Sequence, residues 1–171
     1  KMKEEAYHNN LLHPKFSQTN VVTGRLSCSD PNFQNIPRGD KLPIKRVIQS
    51  RFDDGEIIEM DFAQLEFRVA AFLSQDKQAI QDILEGVDVH QNTANVIGCS
   101  RQDAKAHTFK PLYGGMSGTD EEKKYYAYFR KRYKGITEWQ ERIEDIAIAT
   151  SFYTSPSGRQ YYFEGIKRAS W

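Results

Sequence analysis

Four residues spaced by four, Arg101, Lys105, Phe109 and Tyr113, are the part of the sequence whose residue types most directly indicate chemistry. On an α-helix, positions four apart lie on nearly the same face, so these side chains form one stripe. The stripe runs from two cations to two aromatic rings. That order suits a nucleoside triphosphate lying along the helix, with phosphates on the cations and the sugar and base on the rings. Without context, an exposed basic turn leading into a core aromatic pair is the more frequent explanation.

A second candidate for chemistry is the carboxylate of Asp61. The apolar run over residues 56–60 follows the turn residues Asp53-Asp54-Gly55 and predicts a buried strand. From residue 65 to residue 73 the apolar spacing becomes helical. Asp61 therefore stands where a strand gives way to a helix and can face a cleft, and Glu66 could look back toward the same cleft. The alternative is that Asp61 only caps the following helix.

The middle of the chain, residues 74–150, reads as a series of helices that would position the stripe. Their predicted starts are marked by capping residues: Asp76, Asp88, Ser100, Thr119 and Thr137. The helix that starts at Thr119 is dense in aromatic residues, which we expect to pack inward, and Gly135 is expected to end it. Pro111 predicts that the stripe helix bends or loosens between residues 107 and 111.

The two ends of the chain have patterns that differ from the helical middle. Residues 1–12 have a weak helical pattern, and residues 16–27 read as extended chain with a bend at Gly24. A polar loop with two prolines follows over residues 29–37. Near the C-terminus, residues 152–163 alternate around a Ser-Pro-Ser-Gly turn, which predicts a hairpin.

Composition limits the classes of protein to consider. The 171 residues are 39% hydrophobic, enough for one sizeable core. The 24 basic and 23 acidic residues nearly balance, which excludes a general polycation but permits local basic stripes. Two distant cysteines suit a reducing compartment, and no apolar run approaches membrane-spanning length. We therefore expect a cytoplasmic protein without a membrane partner.

Three motifs together resemble family A DNA polymerases, the family of bacterial DNA polymerase I and many phage replicases. Residues 61–68, Asp-Phe-Ala-Gln-Leu-Glu-Phe-Arg, resemble its first catalytic motif. Residues 23–37 match its signature Thr-Gly-Arg-Leu-Ser-x-x-Asp-Pro-Asn-x-Gln-Asn-Ile-Pro, and residues 101–114 match its nucleotide-binding pattern. The match departs from the common form at residues 110–111, Lys-Pro, where the family has a glycine after the phenylalanine. The resemblance spans nearly the whole chain in the family's order, and we expect a phage-type member.

The resemblance implies an α+β fold class: part of a polymerase palm with an antiparallel sheet and an inserted helical fingers subdomain. Residues 1–73 would form the palm portion, with the duplex-contacting loop and first catalytic motif. Residues 74–150 would form the helical fingers, and residues 151–171 a hairpin that returns toward the palm.

The family's chemistry implies roles for the residues that match its motifs. Two Mg²⁺ ions would act in nucleotidyl transfer, with Asp61 holding both and the Phe62 carbonyl holding one. Lys105 would neutralise the triphosphate and protonate the leaving pyrophosphate. Glu66 would form a sugar gate with Phe109 that leaves no room for a ribose 2′-hydroxyl.

The resemblance also implies contacts with nucleotide and DNA. Beside Glu66 and the stripe, the nucleotide contacts would be Gln64 and His90, the latter near the triphosphate. The DNA contacts would be Arg25, Asn32, Asn35, Arg68 and Arg159, of which Arg25 would reach the minor groove near the primer terminus. Minor-groove acceptors are nearly the same for every base pair, so an arginine there can check pairing without reading sequence.

The expected function is template-directed DNA synthesis, with nucleotidyl transfer from a dNTP to the 3′-hydroxyl of a primer–template. In the family a second carboxylate comes from a His-Asp-Glu motif, and this sequence contains no His-Asp pair. We therefore expect a second polypeptide or missing segment to supply it, as in a split or truncated polymerase. The main alternative is a catalytically silent nucleotide- or DNA-binding module. A metal-dependent hydrolase using Asp61 and Glu66 explains neither the Arg25 loop nor the stripe.

Overall fold

The computed structural model describes residues 7–8, 11–36 and 44–163. The chain divides into two compact units, Lys1–Asp61 and Phe62–Trp171. Both units contain small antiparallel ladders, and the second unit also contains α-helices. This combination confirms the expected α+β class.

The first unit is built mainly from short strands. Strand β1 (Tyr7–His8) pairs antiparallel with β2 (Leu11–Leu12), and β3 (Lys15–Ser17) pairs with β4 (Ser27–Ser29). The weak helical prediction over residues 1–12 is therefore wrong at β1 and β2, while residues 1–6 and 9–10 lie outside the described ranges. The bend at Gly24 is confirmed by its φ of 81°. The extended prediction over residues 16–27 is confirmed at the strands β3 and β4, whereas residues 18–20 bend and residues 22–23 form a turn.

The predicted buried strand over residues 56–60 is wrong. Residues 55–62 adopt no regular structure, and Ile57, Ile58 and Met60 are 60%, 76% and 88% exposed. A strand needs a neighbour to satisfy its backbone, and the described strands of this unit pair with one another instead. An ion pair anchors the segment: Lys45 Nζ lies 2.6 Å from Glu59 Oε1.

Six α-helices and one hairpin form the described part of the second unit. The helices are α1 (Leu65–Ser74), α2 (Lys77–Leu84), α3 (Val89–Ile97), α4 (Arg101–Leu112), α5 (Asp120–Arg132) and α6 (Lys134–Thr150). Strands β5 (Phe152–Thr154) and β6 (Gln160–Tyr162) form the predicted C-terminal hairpin. The caps predicted at Asp76, Asp88, Ser100 and Thr119 are confirmed. Among the described helices, none is long and apolar enough to cross a membrane.

The predicted junction between α5 and α6 is wrong, because Gly135 does not end a helix and Thr137 does not cap one. Helix α6 already begins at Lys134. The buried carboxylate of Asp76 accepts hydrogen bonds from the backbone N–H of Ala79 in α2 (2.8 Å) and of Ile136 in α6 (3.1 Å). A Cβ on Gly135 would lie only 2.9 Å from Asp76 Oδ2 and 3.0 Å from its Cα. The glycine therefore permits close approach of the two helices.

The core of the second unit is largely aromatic. The rings of Tyr125, Tyr126 and Phe129 are buried, which confirms the inward packing predicted for α5. Phe129 meets Tyr133 edge-on at 4.9 Å between centroids, and Phe67 of α1 meets the same tyrosine at 5.1 Å. Such edge-to-face pairs fix ring orientation and stabilise beyond the area they bury.

A buried ionic network joins α2 to the end of α5. Asp82 is 1% exposed. It accepts hydrogen bonds from Arg132 Nε (3.0 Å) and Nη2 (2.7 Å), from the Tyr133 hydroxyl (2.7 Å) and from Gln78 Nε2 (2.8 Å). Burial acts to raise the pKa of Asp82, but these donors outweigh it and hold the pKa below its ordinary value.

Candidate nucleotide-binding site

Helix α4 carries the predicted stripe. Its start is fixed by Ser100, whose Oγ accepts from the backbone N–H of Asp103 at 3.2 Å. The helix continues through Pro111 to Leu112, so the predicted loosening over residues 107–111 is wrong. Proline stands one residue before the helix end, where losing one backbone donor does not stop the last turn from forming. The Gly115 N–H then donates to the Lys110 carbonyl at 2.8 Å and closes the end of the helix.

The four residues of the stripe remain largely accessible. Arg101 and Lys105 are exposed, Phe109 is partly buried, and Tyr113 is 65% exposed. The rings of Phe109 and Tyr113 stack with centroids 6.3 Å apart and planes inclined by 30°. The helix thus presents two cations followed by an aromatic pair to solvent.

His90 in α3 lies against the aromatic part of the stripe. It is 6% exposed, and its ring meets Phe109 edge-on at 5.2 Å. Within the described residues its Nδ1 has no hydrogen-bond partner. A buried polar atom without a partner is uncommon in proteins and often marks the place of a ligand or water.

The pKa of His90 is set by its burial and by nearby charges. Burial lowers the pKa of the imidazole; Asp88 and Glu66 act to raise it, while Arg101 and Lys105 lower it further. The net effect is a lowered pKa, so the ring is neutral near pH 7. Glu66, Arg101 and Lys105 therefore all lie within electrostatic range of the His90 imidazole.

An ion pair between Asp88 and Arg101 joins the starts of α3 and α4. Arg101 Nε lies 2.6 Å from Asp88 Oδ2. Asp88 Oδ1 accepts the backbone N–H groups of His90 (3.0 Å) and Gln91 (3.1 Å). Burial acts to raise the pKa of Asp88, but these donors hold it below its ordinary value. Sequence reasoning found Asp88 only as a helix start, because its pairing with Arg101 depends on how α3 packs against α4.

A buried hydroxyl cluster holds the stripe helix in place. Thr93 Oγ1 lies 2.8 Å from the Tyr125 hydroxyl and 2.7 Å from Thr108 Oγ1. The three residues belong to α3, α5 and α4, and Thr108 directly precedes Phe109. Burial raises the pKa of Tyr125 to about 12, so its hydroxyl stays protonated. Sequence reasoning missed the cluster, although two threonines on otherwise apolar helix faces are a recognisable sign of one.

The residues at the start of α1 occupy a sharp turn. Gln64 adopts a left-handed conformation (φ 54°), precedes the helix and makes no side-chain cap. Asp61 is therefore not the cap of α1, and that alternative is wrong. Arg68 Nε donates to the Ala63 carbonyl at 2.9 Å, which stabilises the turn. Glu66 is half-buried in the first turn, where the helix dipole favours a carboxylate.

The chemistry of the predicted metal ligands suits magnesium, but their number is small. Asp61 is exposed and is followed by Phe62, whose side chain is 77% exposed. A carboxylate and a backbone carbonyl are the hard oxygen donors that Mg²⁺ prefers. Across the described ranges, no group of three or more His, Cys, Asp or Glu residues is arranged to hold a metal ion.

The predicted DNA contacts of the first unit, Arg25, Asn32 and Asn35, are exposed, whereas Arg68 lies in α1. Arg25 follows Gly24, which adopts φ 81° and donates its N–H to the Val21 carbonyl at 2.9 Å. Asn32 caps the short 3-10 helix Phe33–Asn35, whose last residue is the exposed Asn35.

Arg159 stands in the loop between β5 and β6, in the second unit. It is exposed, and its Cζ lies 5.4 Å from the centroid of the Tyr161 ring. The aromatic contact gives the guanidinium a preferred position. Its contact with DNA stays a prediction.

The described residues combine α-helices with short antiparallel ladders, and the cation–aromatic stripe of α4 lies beside the buried His90. The family model described as DNA polymerase family A matches residues 2–171. The chain therefore belongs to DNA polymerase family A.

Named relatives agree with this assignment. The chain is 33% identical over 155 residues to DNA polymerase I of Streptococcus pneumoniae, covering 77% of this chain and 17% of the relative. It is 40% identical over 115 residues to the thermostable DNA polymerase I of Thermus aquaticus, covering 60% of this chain and 14% of the relative. The chain thus spans less than a fifth of the length of these relatives.

A solved structure shares the fold. It is the POL domain of Pol1 from M. smegmatis in complex with DNA primer-template and dNTP. The TM-score is 0.68 at 24% identity, with 92% of this chain and 32% of that chain covered.

Proposed function

We propose that this chain supplies the nucleotide-binding helix and one catalytic carboxylate of a DNA-directed DNA polymerase. The reaction is nucleotidyl transfer from a dNTP to the 3′-hydroxyl of a primer–template. The observation that carries the proposal is the exposed stripe of α4 beside the buried His90, whose Nδ1 has no hydrogen-bond partner within the described residues, in a chain of family A. The solved relative binds primer-template DNA and dNTP, and we propose the same partners here.

The triphosphate binds at the N-terminal half of α4 in this proposal. Arg101 and Lys105 contact the phosphates, where the positive end of the helix dipole also favours an anion. The neutral His90 offers a further polar contact, and the rings of Phe109 and Tyr113 receive the sugar and base. Lys105 also protonates the leaving pyrophosphate.

Glu66 and Phe109 select the sugar of the nucleotide. Gln64, at the start of α1, is a further nucleotide contact. His90 supports this assignment, because the charge of Glu66 acts to raise the pKa of its imidazole and its ring contacts Phe109. A carboxylate and a ring on the same side of the nucleotide leave no space for a ribose 2′-hydroxyl.

Catalysis requires more than this chain's own carboxylate. We propose that Asp61 and the Phe62 carbonyl contribute ligands to two Mg²⁺ ions. Such ions lower the pKa of the primer hydroxyl and stabilise the charge that develops at the phosphorus. The second carboxylate comes from a His-Asp-Glu motif outside these 171 residues, in a second polypeptide or in another segment of the same one.

The remaining assignments are proposals of the same kind. Arg25, Asn32, Asn35, Arg68 and Arg159 contact the primer–template duplex, mostly from exposed turns. The division into palm (1–73), fingers (74–150) and return hairpin (151–171) also stays a prediction. So do the phage-type origin and the cytoplasmic location.

Primer extension tests the proposal. The 171-residue chain alone should give no template-directed extension, and activity should appear when a polypeptide carrying the His-Asp-Glu motif is added. Asp61→Ala should abolish that activity, whereas Asp54→Ala, an equal charge change in an exposed turn, should leave it. Extension by the chain alone that depends on Asp61 would mean that another carboxylate here completes the site. A catalytically silent module would bind dNTP and extend no primer in any assembly.

A further inference from the structure

Arg101, the first cation of the stripe, already has an anionic partner. Its Nε lies 2.6 Å from Asp88 Oδ2, a charge-assisted hydrogen bond. The two side chains are 47% and 36% exposed, so a ligand can reach both. In the described part of the chain, Lys105 has no comparable ion pair. Within the described residues, the two phosphate-binding cations therefore differ before a ligand binds: Arg101 is in an ion pair and Lys105 is not in a comparable one.

The two oxygens of Asp88 have separate tasks. Oδ1 caps α3 by accepting the N–H groups of His90 and Gln91, whereas Oδ2 holds Arg101. Because the cap does not use Oδ2, Arg101 can leave without exposing the start of α3. The ion pair is thus exchangeable while the helix stays formed.

We infer that Asp88 is a competing counter-ion, which an incoming triphosphate must displace from Arg101 in order to bind. The inference rests on the proposed triphosphate site. Asp88 then selects among ligands. A single phosphate that binds Arg101 replaces the Asp88 contact, so it gains only the difference in free energy between the two contacts. A triphosphate reaches Lys105 as well and gains a contact that breaks no ion pair.

The charge state of Asp88 and the weakness of its exposed ion pair support the inference. The pKa of Asp88 lies below its ordinary value, so the carboxylate is charged throughout the neutral range and always competes. An exposed ion pair has a small net free energy, so a polyvalent anion can displace it. Asp88 therefore tunes binding and does not block it.

Asp88→Asn is the direct test, because asparagine caps helices as well as aspartate and leaves Arg101 without its counter-ion. We would titrate dATP and, separately, inorganic phosphate into the 171-residue chain and measure Kd by calorimetry at low salt. The variant should bind dATP roughly two- to fivefold more tightly, the range expected for an exposed ion pair. Inorganic phosphate should gain more than dATP does, so selectivity for the triphosphate should fall.

Asp103→Asn is the matched control, since it removes the same charge from the first turn of α4 without touching Arg101. Asp103 instead accepts from the Ser100 hydroxyl, at 2.6 Å. Its effect on dATP binding should stay below about twofold. The advantage of Asp88→Asn should also shrink at about 0.5 M salt, where screening weakens exposed pairs.

The Arg101 Nε–H signal in a ¹⁵N NMR spectrum, assigned by its loss in Arg101→Lys, gives a second measurement that does not need the Asp88 variant. Titrating dATP into the wild-type chain should move this signal away from its ion-paired position.

Equal or weaker dATP binding by Asp88→Asn, while Lys105→Ala abolishes binding, would overturn the inference and leave the site intact. An Arg101 signal unmoved by saturating dATP would do the same. No dATP binding by either wild type or Asp88→Asn would overturn the site and the inference together.

Discussion

Replacing Asp82 by asparagine tests how the helices that present the stripe are held together. The Asp82 carboxylate is 1% exposed and accepts four hydrogen bonds, two of them from Arg132 of α5. Asparagine has nearly the same shape but no charge, and its amide donor would face the guanidinium and the Tyr133 hydroxyl. Arg132 would then lose its counter-ion at the junction of α2 and α5.

The size of the effect follows from the burial of the two partners. Removing one partner of a fully buried ion pair costs about 3–5 kcal/mol of folding free energy. The Arg132 side chain is 31% exposed, and asparagine keeps one acceptor oxygen. Both facts reduce the cost, so we expect a loss of about 2–3 kcal/mol.

Urea denaturation of the 171-residue chain, followed by circular dichroism, measures this loss. Glu85→Gln is the control: it makes an equal charge change at the exposed residue that follows α2, where the Glu85 carboxylate accepts from Gln81, and should stay within about 0.5 kcal/mol of wild type. The pKa of Asp82 is lowered on folding, so its contribution is present above the unfolded pKa and is lost as pH falls through the folded value. The difference between wild type and Asp82→Asn should therefore shrink below about pH 4. Equal stability of the two proteins at pH 7 would refute the reasoning.

Three further substitutions test other parts of the account. Glu66→Ala in an assembled polymerase should ease ribonucleotide incorporation about tenfold, measured by primer extension with both sugars, and unchanged discrimination would rule out the gate. Arg25→Ala should slow extension chiefly at mismatched primer ends, and equal slowing at matched ends would argue against a minor-groove check. Thr108→Val leaves the Thr93 hydroxyl with one partner fewer and should cost about 1–3 kcal/mol in urea denaturation. An unchanged midpoint would show that the cluster does not hold α4.

The predictions that succeeded depend on local sequence. Helix starts at Asp76, Asp88, Ser100 and Thr119 are set by a side chain that bonds to the backbone two or three residues on, so a short window contains the whole cause. The stripe geometry on α4 likewise follows from helical periodicity. These are features that one sequence can reveal without knowledge of its neighbours.

The predictions that failed depend on distant partners. The apolar run over residues 56–60 has the composition of a buried strand, but composition does not supply the neighbouring strand that burial needs. The start of α6 was placed at Thr137 from a local capping residue, whereas the acceptor for the Ile136 N–H is Asp76, sixty positions earlier. The pairing of Asp88 with Arg101 was missed for the same reason, since it exists only once α3 lies beside α4.

The most direct test of the central claim, that α4 binds the triphosphate, is steady-state primer extension by an assembled polymerase carrying Lys105→Ala. The control is Lys124→Ala, which removes an exposed lysine of α5 outside the stripe. We expect kcat/KM for dNTP to fall about 100-fold or more, because a charge-assisted contact is lost where charge develops in the reaction. The Kd for primer–template should stay within about twofold of wild type. Weakened duplex binding with unchanged nucleotide turnover would contradict it.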